Sequence, residues 1–223
     1  MYVTRKSRLL FLGGLTALVA GALALMMAAP KTRALDGGSS GLTPADLNTI
    51  VTQAVNAANN LTSPFRSIAG TTRTTKMHIA VVARDGRLLT LRSMPDAWVG
   101  SIDIAIAKAR TAAFFSSDEN ALTSRIIGLA SQAHVNSALQ PDPNGTAGPL
   151  WGIGNSNQVG ISGGPQFRNG LITFPGGVAL YKNGHLVGGI GVSGDGVDQD
   201  EAVAFAGAAG FEPPASVAKL GYP

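Results

Sequence analysis

The chain has 223 residues, of which 45% are hydrophobic and 13% charged, a composition that suits one globular core with accessory segments. Its formal net charge of +4 comes from the first 34 residues, which hold five basic side chains and no acid; residues 35–223 carry 12 basic and 13 acidic side chains, so a basic nucleic-acid-binding surface is not predicted. The absence of cysteine excludes disulfides, thiolate metal sites, iron–sulfur clusters and a cysteine nucleophile.

Residues 1–34 have the pattern of an export signal. A basic segment precedes an apolar run from Leu9 to Ala29, and the small residues that end at Ala34 suit a signal peptidase. This pattern predicts a Sec-type signal peptide and a periplasmic or secreted protein. The run of 21 residues is also long enough to span a bilayer, so an uncleaved N-terminal membrane anchor is the alternative, and no other membrane contact is expected. Residues 35–42 are interpreted as a flexible spacer.

The next hundred residues alternate helical and strand patterns. Thr43-Pro44-Ala45-Asp46 is typical of a helix start, with a capping threonine, a proline in the first turn and an acid near the helix dipole. Asp85-Gly86 separates the apolar segments MHIAVVAR and RLLTLRSM, which predicts a β-hairpin. The segment IDIAIAKARTAAFF predicts a second helix. Ser116 and Glu119 have the spacing of a capping box and predict a third helix that runs to about His134.

A long stretch rich in glycine and proline follows. Residues 140–177 contain ten glycines and five prolines, which is typical of a functional loop or lid. Gly160-Ile-Ser162-Gly-Gly164 within it matches the spacing of a nucleophile elbow, but no helix follows, so a flexible turn is the favoured interpretation. Asn183-Gly184 predicts a second hairpin, and a last helix follows it. The order of elements predicts an α+β domain with a mainly antiparallel sheet covered by helices.

The second hairpin contains the spacing of a dinucleotide-binding fingerprint. Gly189-Ile-Gly191-Val-Ser-Gly194 has the required glycines, but a dinucleotide site also needs a second strand ending in an acid, and no apolar run follows Gly210. We therefore expect no nucleotide. The glycines are interpreted as positions where a helix or a neighbouring subunit lies close against the sheet.

Four acidic residues cluster before and within the last helix. They could supply oxygen ligands to a hard cation, although they lack the alternation of a calcium-binding loop. Acids at a helix N-terminus also complement the helix dipole, and this second interpretation is favoured. The cluster is Asp195, Asp198, Asp200 and Glu201.

Among the three histidines, His134 has the most suggestive position. It ends a predicted helix and enters the glycine-rich loop beside aromatic residues, where it could serve as an axial ligand or simply complement a helix dipole. Lys108 and Arg110 lie on the alanine-rich helix with Asp103. If partly buried, either base could bind a carboxylate such as a haem propionate; otherwise they are solvated charges beside a buried stripe.

Two segments resemble, in order and spacing, the GlcG/HbpS-like family of haem-binding proteins, which also supplies the C-terminal domain of some corrinoid adenosyltransferases. They are SIDIAIAKARTAAFFSS (101–117) and FPGGVALYKNGHLVGGIGVSGDGVDQDEAVAFAG (174–207). The IAVVARDGRLLTLRSM hairpin is similar to the family's first strand pair, so the resemblance covers most of residues 43–210. It implies a roughly five-stranded, mainly antiparallel sheet flanked by helices in a profilin-like layered sandwich, assembly into homo-oligomers, and a planar ligand such as haem or another tetrapyrrole.

The resemblance also suggests a set of ligand-binding residues. Lys108, Arg110 and Thr111 match its K-A-x-T-A core, and Gly176 and Gly177 match its C-terminal motif. With His134 as haem axial ligand, these residues form the predicted site. The family-like domain is expected over residues 43–212, with a Gly/Pro-rich insert at about 135–172 that could cover the ligand site and a C-terminal tail at 213–223.

The favoured hypothesis is therefore an exported, non-enzymatic or weakly enzymatic protein that binds haem or another tetrapyrrole for storage, sensing or scavenging. One alternative is an enzyme that acts on a small organic acid and uses Lys108 as its electrostatic anchor. A second alternative is an oligomeric assembly module without a small ligand. No nucleic-acid partner is expected, and no catalytic residue is assigned.

Overall fold

The computed structural model describes residues 41–155, residues 170–218 and Tyr222. The leader at 1–34, nearly all of the spacer at 35–42 and the motif around Ser162 lie outside the described residues. The leader, the membrane anchor and the domain bounds therefore stay predictions. No helix in the described part of the chain is long and apolar enough to cross a bilayer.

Four α-helices are present in the described residues. Helix α1 begins at Pro44 as predicted, because Thr43 and Asp46 form a capping box in which each side chain accepts a hydrogen bond from the other residue's backbone N–H. A short 3-10 turn covers Trp151–Asn155. The α-helices are α1 (Pro44–Asn60), α2 (Ser101–Phe115), α3 (Ser124–Ala130) and α4 (Val197–Gly207).

The four strands form one antiparallel sheet in the order β2-β1-β4-β3. Both predicted hairpins are confirmed, with positive φ at Gly86 in the first turn and at Asn183 and Gly184 in the second. The strands are β1 (His78–Ala83), β2 (Leu88–Ser93), β3 (Gly177–Lys182) and β4 (His185–Ser193). The expected fifth strand is not found in the described residues, where the pairing of Thr62 with Thr74 is an isolated bridge that does not extend into a ladder.

The third predicted helix is much shorter than expected. Helix α3 begins only at Ser124, with Thr123 as its N-cap, and ends before His134. The side chains of Ser116 and Ser117 instead accept backbone hydrogen bonds from Leu122 and Glu119, which holds the segment between α2 and α3 in a turn. A serine that satisfies nearby backbone groups stabilises turns as readily as helix starts, and here the turn prevails.

The sheet is covered by helices on both faces. Strand β1 alternates between them: Ile79 and Val81 pack in the core beneath α1 and α4, whereas Ala80 and Val82 pack against α2. This alternation is the period of two that a strand imposes on its side chains. The α+β sandwich that the sequence predicts is thus confirmed.

The glycines of β4 let helix α2 approach the sheet closely. A Cβ added at Gly189 would collide with the carbonyl oxygen of Ala109, and one at Gly191 with that of Ala105. These glycines therefore match the alanine face of α2, and the prediction that a helix lies close against the sheet at these positions is confirmed.

Candidate functional site

Lys108 lies inside the protein, at the point where α2 crosses the sheet. Its Nζ is 2.7 Å from Asp200 Oδ2 and donates a second hydrogen bond to the carbonyl oxygen of Val192 at 3.1 Å. The two charged side chains are only 1% and 3% exposed. Lys108 does bind a carboxylate, as the sequence suggested, but the carboxylate belongs to the protein's own helix α4.

The environment of this pair shifts both ionisation equilibria toward the neutral forms. Burial raises the pKa of Asp200 and lowers the pKa of Lys108, and their mutual attraction opposes both shifts. The second oxygen of Asp200 accepts the backbone N–H of Asp195 at 3.2 Å. Asp200 thus lies in the first turn of α4, where the sequence placed an acid that complements the helix dipole, and it is in addition a buried ion-pair partner.

The three remaining acids of the C-terminal cluster also have protein partners, and Asp195 accepts a hydrogen bond from the Ser63 hydroxyl. Arg125 on α3 contacts Asp198 and Glu201 at 2.6 Å each. No group of three or more possible metal ligands of the His, Cys, Asp or Glu type occurs among the described residues. Asp200 therefore joins α4 to α2 through Lys108, and Asp198 and Glu201 join α4 to α3 through Arg125.

Gly176 is placed directly against the Lys108–Asp200 pair. Its φ of 116° favours glycine, and an added Cβ would lie 2.6 Å from the carbonyl oxygen of Val192 and 3.1 Å from Lys108 Nζ. Gly177 is equally confined, since its Cβ would lie 2.9 Å from Ser124 Oγ. The structure therefore brings Gly176 and Lys108 together. At Gly176 and at Gly177, close packing by itself explains why the residue is glycine.

Thr111 and Arg110 face other parts of the molecule. Thr111 Oγ1 donates to the carbonyl oxygen of Ala107 at 2.9 Å and accepts the backbone N–H of Ile172 at 3.0 Å, so it ties α2 to the segment before β3. Arg110 Nε donates to the carbonyl oxygen of Gly86 at 2.9 Å, in the β1–β2 turn. Burial lowers the pKa of Arg110, and the nearby charge of Asp103 opposes that shift. The two bases of α2 thus do not act at one place.

His134 is exposed in the loop that follows α3. Its Nδ1 is 3.1 Å from the carbonyl oxygen of Gly145, which requires the proton on Nδ1 and leaves the lone pair on Nε2. A metal-ligating histidine commonly has this arrangement, with one ring N–H donated to a backbone carbonyl. His78 differs, because it is buried and its two nitrogens contact Ser93 Oγ at 2.8 Å and the carbonyl oxygen of Trp98 at 3.0 Å.

An open cleft of about 350 Å³ lies above the Lys108–Asp200 pair. Its rim carries large apolar side chains that are mostly exposed to solvent: Phe65 (75%), Trp98 (62%) and Phe174 (61%). Its floor includes Ser193 and Asp195. An exposed apolar group of this kind, gathered around one concavity, is typical of a ligand-binding surface, and we name it the aromatic cleft.

Sequence reasoning missed the aromatic cleft. Phe65, Trp98 and Phe174 belong to three loops that are distant in the chain, and no spacing relates them. The only available signal was that each is a large aromatic outside every helical or strand pattern. Of the three predicted bases, Lys108 lines the cleft together with its partner Asp200, whereas neither His134 nor Arg110 is among the described lining residues. The expected gathering of all three at one mouth does not occur.

A second cavity, of about 430 Å³, lies between β3 and the C-terminal segment. Phe205 and Tyr222 contribute its aromatic lining, with their rings in edge-to-face contact at 5.8 Å. Glu212 is the one charged side chain among its described lining residues, and it would repel an anionic ligand. Acidic side chains also line the aromatic cleft, where Asp195 and Asp200 accompany Lys108, so charge alone does not separate the two concavities.

Comparison with known proteins identifies relatives of this chain. Residues 42–209 match the family described as haem-degrading protein, HbpS-like. A 15.0 kDa protein encoded between dhaT and dhaS in Citrobacter freundii is 30% identical over 125 residues, which are 56% of this chain and 68% of the relative. The corrinoid adenosyltransferase PduO of the same organism is 29% identical over 178 residues, which are 80% of this chain and 41% of that enzyme.

Two solved structures share the fold. The PduOC–haem complex is 24% identical, with a TM-score of 0.53 over 77% of this chain and 95% of that one. The Klebsiella pneumoniae protein ORFY is 22% identical, with a TM-score of 0.50 over 75% of this chain and 88% of its own. The resemblance proposed from the sequence is confirmed by the family match, and the structures confirm the fold.

Proposed function

The chain belongs to the HbpS-like family of haem-degrading proteins, and from that premise we propose that it binds haem, with the macrocycle seated in the aromatic cleft. Membership in the family and the haem complex of a fold relative support the ligand. The observation that carries the location is the convergence of three exposed aromatic side chains on the rim of one concavity. A flat, apolar ring system can stack on such side chains and cover them from water.

The residues of the aromatic cleft fit part of what haem requires. Phe65, Trp98 and Phe174 supply apolar contact to the ring, and the cleft is open, so a ligand larger than its volume can extend beyond the rim. Histidine is absent from the described residues that line it. The cleft thus provides binding surface for the macrocycle, and iron ligation requires a residue from elsewhere.

His134, the iron ligand that the sequence suggested, does not line the aromatic cleft, so it is a second candidate location for the iron rather than part of the cleft. Its hydrogen bond to Gly145 holds the tautomer that leaves Nε2 able to bind a metal, whereas both ring nitrogens of His78 are engaged inside the protein. When bound, the iron would supply a Lewis-acidic centre, and His134 would orient it and set its electronic character. A role of the aromatic cleft predicts that its variants lose affinity for haemin, whereas ligation by His134 predicts a change in the Soret spectrum. One haemin titration measures both.

Titration with haemin tests the proposal. Residues 40–223 are suitable because they form a compact unit with its own core. We expect a saturable change of the Soret band, and Trp98→Ala should weaken affinity about tenfold because an aromatic contact to the ring is lost. Trp151→Ala is the matched control, since Trp151 is also mostly exposed but does not line the cleft.

The outcomes separate the ligand from its location. A folded wild-type protein without a saturable Soret change would reject haem binding. Equal affinities for wild type and Trp98→Ala would place the ligand outside the cleft. His134→Ala should shift the Soret maximum if this histidine ligates iron, and His185→Ala, which alters another exposed histidine, should leave the spectrum unchanged.

The alternative of an enzyme that anchors a small organic acid on Lys108 has less support. The Nζ of Lys108 already contacts Asp200 and the carbonyl oxygen of Val192, and its side chain is 1% exposed. A substrate carboxylate would have to displace an internal carboxylate from a buried position. The ligand-free assembly module also has less support, because an exposed aromatic cleft is a feature that it would not require.

We further propose that the protein is exported and stores, senses or scavenges haem outside the cytoplasm. The support is the basic and apolar pattern of residues 1–34. Fractionation of a bacterial host that expresses the full chain, with N-terminal sequencing, tests it. A soluble periplasmic or secreted product that starts near residue 35 would agree with a cleaved signal peptide, a membrane-bound product that keeps residues 1–34 would indicate the anchor, and a cytoplasmic product would contradict both.

A homo-oligomer is the expected assembly. Val99 and Leu88 are exposed apolar residues outside the aromatic cleft and are available for contact between copies. Sedimentation equilibrium of residues 40–223 measures the assembly directly. A single species at the mass of one chain across the accessible concentrations would contradict it.

A further inference from the structure

A polar groove of about 380 Å³ adjoins the aromatic cleft. It contains three basic side chains, two threonines and one acid, and we name it the basic groove. Its lining residues are Arg66, Thr72, Arg73, Thr74, Lys76 and Asp96. Three cations and one carboxylate leave two net positive charges at this place, although residues 35–223 as a whole carry nearly equal numbers of bases and acids.

The positive charge of the basic groove is only partly compensated within the protein. Arg66 contacts Asp96 at 2.7 Å and lies 4.0 Å from Asp195, so its charge is matched. Lys76 Nζ donates to the neutral Asn59 Oδ1 at 3.3 Å, and Arg73 is exposed. In the described part of the chain, no ion pair engages Arg73 or Lys76.

Two chain connections and one tertiary contact join the basic groove to the aromatic cleft. Phe65 of the cleft directly precedes Arg66 of the groove. Asp96 of the groove is two residues before Trp98 of the cleft. The backbone of Lys76 lies against Gly194, where an added Cβ would be 2.5 Å from the carbonyl oxygen of Lys76. The two concavities therefore share a border, with aromatic rings on one side and cations on the other.

From this arrangement we propose that Arg73 and Lys76 anchor the two propionate carboxylates of the tetrapyrrole whose ring occupies the aromatic cleft. The inference rests on the proposed function, and it adds the residues that would make binding specific for a tetrapyrrole with two carboxylates. Haem combines an apolar ring with two carboxylates on one edge. The aromatic cleft offers apolar contact to the ring, and the adjoining basic groove offers positive charge to the carboxylates. Two uncompensated cations match two carboxylates in charge, and the hydroxyls of Thr72 and Thr74 add donors that suit carboxylate oxygens.

This assignment replaces the one that the sequence suggested for the propionates. Lys108 is buried against Asp200, and Arg110 contacts Gly86 in the β1–β2 turn. Neither lines the basic groove. The cations that adjoin the aromatic cleft instead come from the segment that precedes β1.

The experiment compares haemin with haemin dimethyl ester, in which both propionates are esterified and uncharged. Each ligand is titrated into residues 40–223 of the wild type and of Arg73→Gln/Lys76→Gln, in the same low-salt buffer with the same cosolvent. Arg87→Gln/Arg92→Gln is the matched control, because it removes two exposed positive charges that line neither the cleft nor the groove. Circular dichroism verifies that each variant is folded.

We expect wild type to bind haemin about tenfold more tightly than the diester, since two exposed charge contacts each contribute a few-fold in affinity. Arg73→Gln/Lys76→Gln should lose about that factor for haemin and bind the diester as wild type does, and the difference should shrink in high salt. The control variant should retain the wild-type preference.

Two results would overturn the inference while the proposed function stands. Wild type could bind both ligands equally well, or the groove variant could lose the same factor for both. Either result would mean that the propionates do not reach Arg73 and Lys76. Failure of wild type to bind haemin at all would instead overturn the proposed function, and this inference with it.

Discussion

Lys108 and Asp200, 92 residues apart in the chain, form a buried ion pair of 2.7 Å that joins helix α2 to helix α4 beneath the aromatic cleft. Each charge is held where water cannot reach it, so each depends on the other. The pair also borders Gly176, whose missing side chain leaves room for it. This contact links the two segments that most resemble the family, and it explains why a lysine lies in an otherwise apolar part of α2.

Removal of the lysine should destabilise the fold. Lys108→Met leaves Asp200 as an unpaired buried charge, and we expect a loss of about 3–5 kcal/mol in the free energy of unfolding, measured by urea denaturation at neutral pH. Lys76→Met is the control, because Lys76 is partly exposed and has a neutral partner. Lys108→Met/Asp200→Asn should be less destabilised than Lys108→Met alone. A loss confined to ligand affinity would contradict this structural role.

The stability loss of Lys108→Met should depend on pH in a defined direction. Burial already raises the pKa of Asp200, and loss of Lys108 removes the attraction that opposes this rise. A carboxyl whose folded pKa exceeds its unfolded pKa binds protons more tightly when folded, so its contribution favours folding at low pH and is lost as the pH rises through the folded pKa. We therefore expect the deficit of Lys108→Met against wild type to shrink as the pH falls from neutral toward 4. A constant deficit in urea denaturation across that range would contradict the assignment.

Asp46 should give the opposite pH dependence. Its hydrogen bond with Lys182 at 2.6 Å, together with those from Thr43, lowers its pKa to about 2. Because the folded pKa lies below the unfolded value, the stability that Asp46 contributes is present above about pH 4 and is lost toward about pH 2. The unfolding free energies of wild type and Asp46→Asn should thus differ at neutral pH and converge in acid. If the difference persists unchanged at pH 2, the ion pair is not its source.

Gly176→Ala tests whether this glycine is structural or ligand-binding. The new methyl group would press on the carbonyl oxygen of Val192 and on Lys108 Nζ at a φ of 116°, so we expect a loss of about 1–3 kcal/mol in unfolding free energy. Gly152→Ala should change stability by less than about 0.5 kcal/mol, since no atom lies within 4 Å of the added carbon. Wild-type stability of Gly176→Ala with weakened haemin binding would favour the ligand-binding interpretation.

The C-terminal segment should protect an edge of the sheet. Strand β3 lies at the end of the sheet, and the backbone N–H of Ala179 donates to the Tyr222 hydroxyl at 3.1 Å. Tyr222→Ala exposes this edge and should increase concentration-dependent association, measured by light scattering. Tyr222→Phe retains the ring and loses only the acceptor, so it should cost about 1–3 kcal/mol in stability with less association. Identical scattering of wild type and Tyr222→Ala would show that the residue has no protective role.

Features that depend on neighbours in the chain could be predicted from the amino-acid sequence. Thr43 and Asp46 are three residues apart and specify where α1 begins, and the Asp85-Gly86 and Asn183-Gly184 turns specify both hairpins, because local backbone geometry favours these residues there. The helix expected from Ser116 was wrong for a related reason. A serine side chain can accept hydrogen bonds from the backbone of a turn as well as from the start of a helix, and the sequence pattern alone does not distinguish the two.

Contacts between side chains that are distant in the chain could not be predicted in this way. The pairing of Lys108 with Asp200, the gathering of Phe65, Trp98 and Phe174, and the exposed position of His134 outside their cleft all depend on contacts between segments far apart in the chain. Burial and charge pairing are properties of the packed molecule, so a sequence pattern can indicate that a lysine needs a carboxylate but not which one. Lys108 meets Asp200 because the glycines of β4 and the alanines of α2 let the helix lie close to the sheet, where the lysine is buried against α4.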